Sequence, residues 1–173
     1  ADAVREILEG EGFVFRLAAE CLEIRRTASG VAVRVSCDEG PEEVEGSDLL
    51  VAVGRVPNTD DLGLEHTGIE LDERGFIPVD DELRTQVASI WALGEVNGRG
   101  AFTHTSYNDF EIVAANLLEG DNRRVSDRFT CYGLFVDPPL GRVGSTEQQV
   151  RDSGRPALLA TRALTRVGRA REF

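Results

Sequence analysis

The first third of the chain combines one helical hydrophobic pattern with several short extended patterns. Apolar side chains at helical spacing predict a helix over residues 3–9. Short apolar or alternating runs predict strands over 13–15, 19–26 and 31–36, and a short turn sequence joins the last two as an antiparallel hairpin. The acidic stretch 41–47 is interpreted as a connector that could form a third strand.

A different pattern occupies Asp48 to Val53, DLLVAV, where an unbroken apolar run over 49–53 follows the aspartate. Such a run is typical of a strand buried on both faces of an α/β sheet. Shorter strands are predicted over 75–79 and 90–93, the second with the sequence IWAL. These segments place the expected fold class between α/β and α+β.

The clearest helical pattern follows residue 103. Ser106 and Asp109 have the spacing of an approximate capping box, with Thr105 as an alternative N-cap. Gly120 is suited to end the helix. The face expected to be buried consists of apolar and aromatic side chains at helical spacing: Tyr107, Phe110, Val113, Ala114, Leu117 and Leu118.

The last part of the chain alternates extended and helical patterns. An extended segment is predicted over 132–136, a helix with a capping box over 145–153 ahead of Gly154, and a strand over 158–161. The stretch 122–127 is polar and lacks a hydrophobic pattern. We therefore expect a domain boundary there.

Charge and hydropathy restrict the possible partners. The 173 residues carry a formal net charge of −12, and such a field repels phosphate backbones, so nucleic-acid binding is not expected. The arginine-rich stretch 151–173 is compatible either with an anion site or with a solvated surface. Because neither a membrane span nor a signal peptide is visible, the expected location is cytoplasmic.

The three cysteines, Cys21, Cys37 and Cys131, have no CxxC or metal-binding spacing. Reduced structural thiols are the simplest interpretation, and no metal site is predicted. The chain contains no methionine, and it stops after a patterned segment without a turn signal. Both features lead us to expect an internal piece of a longer protein.

The segment 90–95, IWALGE, is the first that suggests chemistry. A buried strand that ends in Gly94 allows close approach of a ligand to the backbone, and Glu95 can accept hydrogen bonds from sugar-like hydroxyls. A plain strand and turn is equally compatible with this pattern. Gly98 and Gly100 then lead into the helix, whose free N–H groups and dipole favour an electron-rich group. Their spacing is not that of the GxGxxG dinucleotide fingerprint.

Taken in order, the segments LVAVGRVPN, GFIPVDDELRT, IWALGE and THTSYNDFEIVAANLL resemble the central part of the pyridine nucleotide-disulfide oxidoreductases. This family includes dihydrolipoamide dehydrogenase, glutathione reductase and mercuric reductase, and the mercuric-reductase-like members are the most similar. The resemblance covers essentially the whole chain. It implies pieces of the three-layer FAD- and NAD(P)-binding domains, followed by the start of the α+β dimer-interface domain.

The resemblance also implies a division into three ranges. Residues 1–52 correspond to the C-terminal part of the NAD(P)-binding domain. Residues 53–122 correspond to a central segment that returns to the FAD-binding domain. Residues 123–173 correspond to the start of the dimerisation domain, and a homodimer is the implied assembly of the parent.

In the family, the acid that follows the IWAxG motif binds a ribityl hydroxyl of FAD. Glu95 occupies that position in this chain, where the family has aspartate, and Gly94 precedes it. The backbone at Val96 corresponds to the residue that approaches the pyrophosphate-to-ribityl region.

The start of the following helix is implied to bind the flavin as well. The backbone amides at Thr103, His104 and Thr105 correspond to those that stabilise negative charge on the reduced flavin. Gly54 and Arg55 belong to the GRxPN turn, which lies between the nicotinamide and flavin domains in the family. His104 invites a role as general base, but the family base is a histidine near the C-terminus, outside the matching region.

The parent of such a chain passes hydride from NADH or NADPH through FAD to a disulfide, a metal ion or a small oxidant. The FAD fingerprint, the redox cysteine pair, the nicotinamide fingerprint and the C-terminal histidine-glutamate pair do not occur in this sequence. No catalytic residue is therefore assigned, and the chain alone is expected to be inactive. The alternative is a short noncatalytic binding or assembly module with the same architecture.

Overall fold

The structure is a computed structural model that describes residues 2–36 and 42–171. It divides into two units, Ala1–Arg128 and Phe129–Phe173. Cys37 and Pro41, the first residue of the predicted acidic connector, lie outside the described residues.

The first unit begins with helix α1 (Asp2–Gly10) and a three-stranded antiparallel sheet. Strands β1 (Glu20–Arg26), β2 (Val31–Ser36) and β3 (Glu43–Gly46) are adjacent in sequence order. The central strand β2 contains the fully buried Ala32. The predicted hairpin and the third strand in the acidic connector are both confirmed.

The apolar run 48–53 is not a strand, so this prediction was wrong. Leu50 is 89% exposed, and Val51 and Val53 are exposed as well. A strand buried on both faces needs neighbouring strands and covering layers, and no described strand pairs with this run. The predicted strand over 13–15 is also absent, and Phe13 and Val14 are exposed.

Two small hydrophobic clusters form the core between residues 64 and 128. One contains Ile69, Ile77 and Ala92, and the other contains Leu83, Ile112 and Val113. The predicted strands 75–79 and 90–93 are irregular extended segments rather than ladder strands; only an isolated bridge joins Arg84 to Trp91. Backbone bonds from Ala92 N to Leu83 O (3.2 Å) and from Ile77 N to Val96 O (3.0 Å) still hold them in place.

Helix α2 (Thr103–Ala114) continues as a π-helical stretch over Ala115–Glu119, and Gly120 ends it with φ 69°. The helix and its end are confirmed, but the predicted buried face is largely wrong. Four residues of the predicted face are exposed: Tyr107, Phe110, Leu117 and Leu118. The residues of the helix that are buried are Asp109, Ile112, Val113 and Ala115. Apolar residues occur on both sides of this helix, so periodicity alone does not identify the side that packs within the chain.

The start of α2 also differs from the prediction. Phe102 is the N-cap residue. The Thr105 hydroxyl donates to Phe102 O (2.7 Å) and accepts from Phe102 N (3.2 Å). The capping box at Ser106 and Asp109 was wrong, because Asp109 is buried and bonded elsewhere.

The second unit contains the antiparallel pair β4 (Cys131–Leu134) and β5 (Leu140–Val143), followed by helix α3 (Glu147–Asp152). Thr146 and Gln149 form the capping box of α3, one residue later than predicted. Residues 158–161 are not a strand, and Leu158 and Leu159 are exposed. Within the described residues, no helix has the length and apolar character that crossing a membrane requires.

Candidate functional site

The candidate site is built around the turn that follows the buried segment 90–93. Gly94 has φ 81° and ψ −162°, a backbone conformation that is essentially restricted to glycine. A Cβ at this position would lie 3.3 Å from Ser106 Oγ on α2. Glycine therefore allows the turn to adopt its conformation and to lie against the helix. A short 3-10 turn over Glu95–Asn97 follows.

Asp109 anchors this turn from helix α2. Gly94 N donates to its Oδ2 (2.9 Å), and Asn97 Nδ2 donates to the same oxygen (2.9 Å) and also to Ala92 O (2.9 Å). Arg128 forms an ion pair with the other carboxylate oxygen. Asp109 is only 2% exposed, and both of its carboxylate oxygens have hydrogen-bonding partners, as a buried polar group requires.

Sequence reasoning missed Asn97 and Arg128, and it gave Asp109 a different role. One signal was available: Asp109 lies at helical spacing from Ile112 and Val113, so an acid occurs on an apolar face. Its cationic partner is 19 residues farther along the chain. No local pattern identifies a partner at that separation.

Arg55 and Glu95 bring two of the sequence motifs together. Arg55 Nη1 lies 3.3 Å from Glu95 Oε1, and Arg55 Nη2 lies 3.2 Å from Oε2. The pair is therefore bidentate, which fixes the direction of the carboxylate. The side chains are 73% and 39% exposed, so the pair contributes at most about 1 kcal/mol to stability. Its effect is on orientation.

A small cavity adjoins this pair. Its volume is about 250 Å³. That is smaller than the roughly 300–1,000 Å³ of complete small-molecule pockets, so it suits a segment of a large ligand. The lining residues are Arg55, Val56, Pro57, Asn58, Phe76, Glu95 and Val96.

A larger cavity of about 570 Å³ lies beside the β1–β2 turn, with Arg25, Arg26 and Asp48 among its lining residues. Arg25 is already paired with Glu43 across the sheet at 2.6 Å. None of the residues assigned from the sequence lines this cavity. We therefore place the candidate site at the smaller cavity, where the motifs meet.

The start of α2 provides backbone donors. The first four N–H groups of a helix have no intrahelical acceptor. With Phe102 as the N-cap, Phe102 N donates to Thr105 Oγ1 at 3.2 Å and Thr105 N donates to Phe102 O at 3.0 Å, which leaves Thr103 and His104 as the remaining first-turn amides. The exposed His104 ring stacks on Phe102, with ring centres 5.2 Å apart. This contact orients the ring along the surface.

The predicted site residues fall into separate groups. Arg55, Glu95 and Val96 line one cavity, and Gly94 is bonded to Asp109. Gly54 is exposed with φ 135° and does not line that cavity, nor do Thr103, His104 and Thr105.

The other histidine and the described cysteines do not line the cavity. His66 is exposed beside Glu65. The thiols of Cys21 and Cys131 are free and exposed, so they are not buried structural residues. Within the described part of the chain, no cluster of histidine, cysteine and acidic side chains has the arrangement of a metal site.

A second polar cluster ties the segment before the site to the end of the first unit. Ser126 Oγ donates to Asp81 Oδ2 (2.5 Å), Val125 N donates to Asp81 O (2.8 Å), and Arg99 Nη2 lies 3.2 Å from Asp81 Oδ1. The Ser126 hydroxyl is the largest cause of a pKa of Asp81 below its ordinary value, and the Ser126 amide and Arg99 add to it. The carboxylate form is therefore the one that holds this cluster.

Comparison with known proteins relates the arrangement to one family. Residues 1–109 match the family model described as pyridine nucleotide-disulphide oxidoreductase. The match includes the Gly94 turn and the start of α2.

Several curated proteins are similar over nearly the whole chain. The probable pyridine nucleotide-disulfide oxidoreductase RclA of Escherichia coli is 38% identical over 99% of this chain, which spans 38% of that protein. A dihydrolipoyl dehydrogenase of Cupriavidus necator is 33% identical over 90% of the chain and 33% of its own length. A mercuric reductase of Streptomyces lividans is 32% identical over 96% and 35%, respectively.

Solved structures are also similar to this chain. The HOCl-induced flavoprotein disulfide reductase RclA of Escherichia coli superposes with a TM-score of 0.85 at 36% identity, covering 99% of this chain and 39% of that one. LpdA of Mycobacterium tuberculosis gives a TM-score of 0.77 at 30% identity, covering 89% and 33%. The chain thus spans between a third and two fifths of the length of these relatives.

Proposed function

Because the chain belongs to the pyridine nucleotide-disulfide oxidoreductase family, we propose that it supplies one part of the flavin site of an FAD-dependent reductase. The whole protein passes hydride from NADH or NADPH through FAD to a disulfide, a metal ion or a small oxidant. The similarity to RclA, dihydrolipoyl dehydrogenase and mercuric reductase supports this reaction class. The chain alone does not complete the reaction.

The proposed organisation follows the family layout. Residues 1–52 contribute to the NAD(P)-binding domain, 53–122 contain the segment that returns to the FAD-binding domain, and 123–173 begin the dimerisation domain. We further propose a cytoplasmic homodimer for the whole protein. The similarity of nearly the entire chain to members of that family supports the proposed division into three ranges.

The single observation that carries the proposal is the pairing of Arg55 with Glu95 beside the Gly94 turn. The two residues are 40 positions apart in the sequence and belong to different motifs. Their contact fixes a carboxylate in the lining of the cavity, next to the Gly94 turn, whose backbone a ligand can approach closely. Such a carboxylate is suited to accept hydrogen bonds from the hydroxyls of a polyol chain.

The residues present fit part of an FAD molecule. A carboxylate has about four lone-pair sites, so Glu95 retains acceptor capacity while Arg55 holds it. Its side chain is 39% exposed and is accessible to a ligand hydroxyl. Glutamate is one methylene longer than the family's aspartate, and the bidentate contact with Arg55 fixes the direction of its carboxylate. The cavity of about 250 Å³ suits the polyol segment and not the whole dinucleotide.

Each group has a defined role in this proposal. Glu95 binds the ribityl hydroxyls, and Gly94 and Val96 provide closely approachable backbone. The amides of Thr103 and His104, together with the positive end of α2, stabilise negative charge, while the Thr105 amide donates to Phe102 O. When bound, FAD supplies hydride acceptance and electron transfer.

The experiment is a titration of the purified chain with FAD, in which flavin fluorescence reports binding. We expect measurable binding that weakens about tenfold or more in Glu95→Gln, because a hydrogen bond to a charged group contributes about 1.5–3 kcal/mol. Glu65→Gln is the matched control, since Glu65 is exposed beside His66. We expect this control to bind FAD as the wild-type chain does.

Two outcomes would contradict the proposal. One is a folded chain that shows no FAD binding, which would favour the noncatalytic module. The other is sustained oxidation of NADH or NADPH by the flavin-loaded chain, since the proposal assigns that step to the whole protein.

A further inference from the structure

Asp109 is a buried acid that the proposed flavin contacts do not use. Three separate parts of the first unit meet at its carboxylate: the Gly94–Asn97 turn, helix α2 itself, and Arg128. A carboxylate that is 2% exposed needs hydrogen-bond partners for both of its oxygens. These contacts provide them, and they involve the backbone and side chain of the turn that carries Glu95.

The two carboxylate oxygens of Asp109 accept hydrogen bonds from different groups. Oδ2 receives Gly94 N and Asn97 Nδ2, both at 2.9 Å. Oδ1 receives the guanidinium of Arg128, which also donates through Nε to Asn108 Oδ1 at 2.7 Å. One oxygen thus binds the turn, and the other is held by a cation that the helix orients.

The turn needs such an anchor. Gly94 occupies a backbone conformation that is costly even for glycine to hold in one state, because glycine loses more conformational freedom on ordering than other residues do. Asn97 is 5% exposed, and it links the carboxylate to Ala92 O in the strand-like segment before the turn. Both ends of the turn are therefore fixed to one side chain.

We propose that Asp109 is the positioning residue of the turn Gly94–Asn97, with Arg128 holding Asp109, and that this pair sets how well Glu95 is presented to a ribityl hydroxyl. The inference rests on the proposed flavin site. Asp109 does not touch the flavin; it acts through Gly94 and Asn97.

The test uses the 173-residue chain with Asp109→Asn, a substitution of nearly the same shape. Two measurements are made: amide hydrogen exchange without flavin, and FAD affinity. We expect exchange at Gly94 to rise about tenfold or more and FAD binding to weaken by about the same factor, because a hydrogen bond to a charged acceptor is replaced by a weaker one. Asp121→Asn is the matched control, since Asp121 forms an exposed pair with Arg123 at 2.9 Å.

A merely structural role predicts a different exchange pattern. The amide of the fully buried Leu83, which donates to Asp80 O at 3.1 Å, serves as the internal reference. Selective loss of protection at Gly94, with Leu83 unchanged, supports positioning. A parallel loss at both amides, or no change at Gly94, overturns it.

Arg128→Lys guards against a variant that does not fold. Lysine keeps the positive charge and loses the second donor to Asn108. We expect an effect at Gly94 in the same direction as, and smaller than, that of Asp109→Asn. An unchanged Gly94 amide in a folded Arg128→Lys chain would overturn the role of Arg128.

The two proposals fail in different ways. If the wild-type chain binds no FAD, the proposed function fails, while the exchange measurement still decides whether Asp109 positions the turn. If wild-type and Asp109→Asn bind FAD equally, the flavin site stands and the positioning role in binding is overturned.

Discussion

Residues 90–93 and 49–53 are both short apolar segments of the first unit, yet their surroundings differ. Ala92 is 6% exposed, and Trp91 and Leu93 pack against the cluster of Leu83, Ile112 and Val113. In contrast, Leu50 and Val53 lie at the surface. The first segment has a bridge to Arg84 and helix α2 beside it, whereas no described strand pairs with the second.

The difference shows that an apolar run indicates a need for partners rather than a buried position. Burial follows only where other parts of the chain supply a neighbouring backbone and a covering layer. Residues 90–93 find both within 64–128. For 49–53, no described strand supplies a neighbouring backbone, and Leu50, Val51 and Val53 stay exposed.

The largest expected effect is a difference in the free energy of unfolding between a substitution in the core beside 90–93 and one in 49–53. Leu83→Ala removes a fully buried side chain from the second cluster and should lower the free energy of unfolding by about 2–5 kcal/mol. Leu50→Ala is the matched control and should change it by less than about 0.5 kcal/mol. Urea unfolding of the two variants measures both values. Equal losses would mean that 49–53 is buried after all.

The next largest effect concerns the buried ion pair. Arg128→Gln leaves Asp109 as a buried charge without its cationic partner, and it should destabilise the chain by about 3 kcal/mol. Arg123→Gln breaks an exposed pair with Asp121 and should have no measurable effect. Thermal unfolding of both variants at one pH makes the comparison. A neutral Arg128→Gln would show that Asp109 is not held as described.

The hairpin and helix α2 could be predicted from the sequence, because each depends on local signals. Alternation over 31–36 identifies β2, and Gly120 marks the helix end. The contact of Arg55 with Glu95 was not predicted, because it joins two motifs that are 40 positions apart.

The parts that could not be predicted depend on separated residues. Asp109 has helical neighbours that suggest a cap, and only the folded chain brings Arg128 to it. Helix α2 carries apolar side chains on two sides, so the pattern does not show that Phe110 is exposed while Ile112 is buried. The run 49–53 has the composition of a core strand, and composition contains no information about whether its partners are present.

A smaller effect tests the turn itself. Gly94→Ala forces a Cβ into a conformation reserved for glycine and toward Ser106, so a loss of about 1–3 kcal/mol is expected. Gly120→Ala, with φ 69° and open space around its Cβ, should lose only about 1 kcal/mol. Chemical unfolding compares the two variants. A loss at Gly120 that equals or exceeds the loss at Gly94 would argue against a constrained turn.

The smallest effect is a change in titration. Ser126→Ala removes the hydroxyl that is the main cause of the lowered pKa of Asp81, so this pKa should rise toward its ordinary value. A depressed pKa adds stability above the unfolded-state value of about 3.9, and that stability is lost as the pH falls through the folded-state pKa. As the pH rises from the folded-state pKa of Asp81 to its unfolded-state pKa, the free energy of unfolding should therefore increase less in the variant than in the wild-type chain.

NMR titration of the Asp81 carboxyl measures this shift. Ser153→Ala is the control, because its hydroxyl donates to Val150 O in the second unit. A pKa of Asp81 that stays the same in Ser126→Ala would remove the hydroxyl as its cause.

The most direct measurement is an NMR map of FAD on the isotopically labelled chain. The proposed site predicts that backbone amide shifts concentrate at Gly94, Glu95, Val96 and the start of α2 from Thr103 to Thr105. It also predicts that Glu95→Gln reduces those shifts at equal FAD concentration. Shifts confined to the cavity beside the β1–β2 turn, or no shifts in a folded chain, would contradict the central claim that this turn forms part of a flavin site.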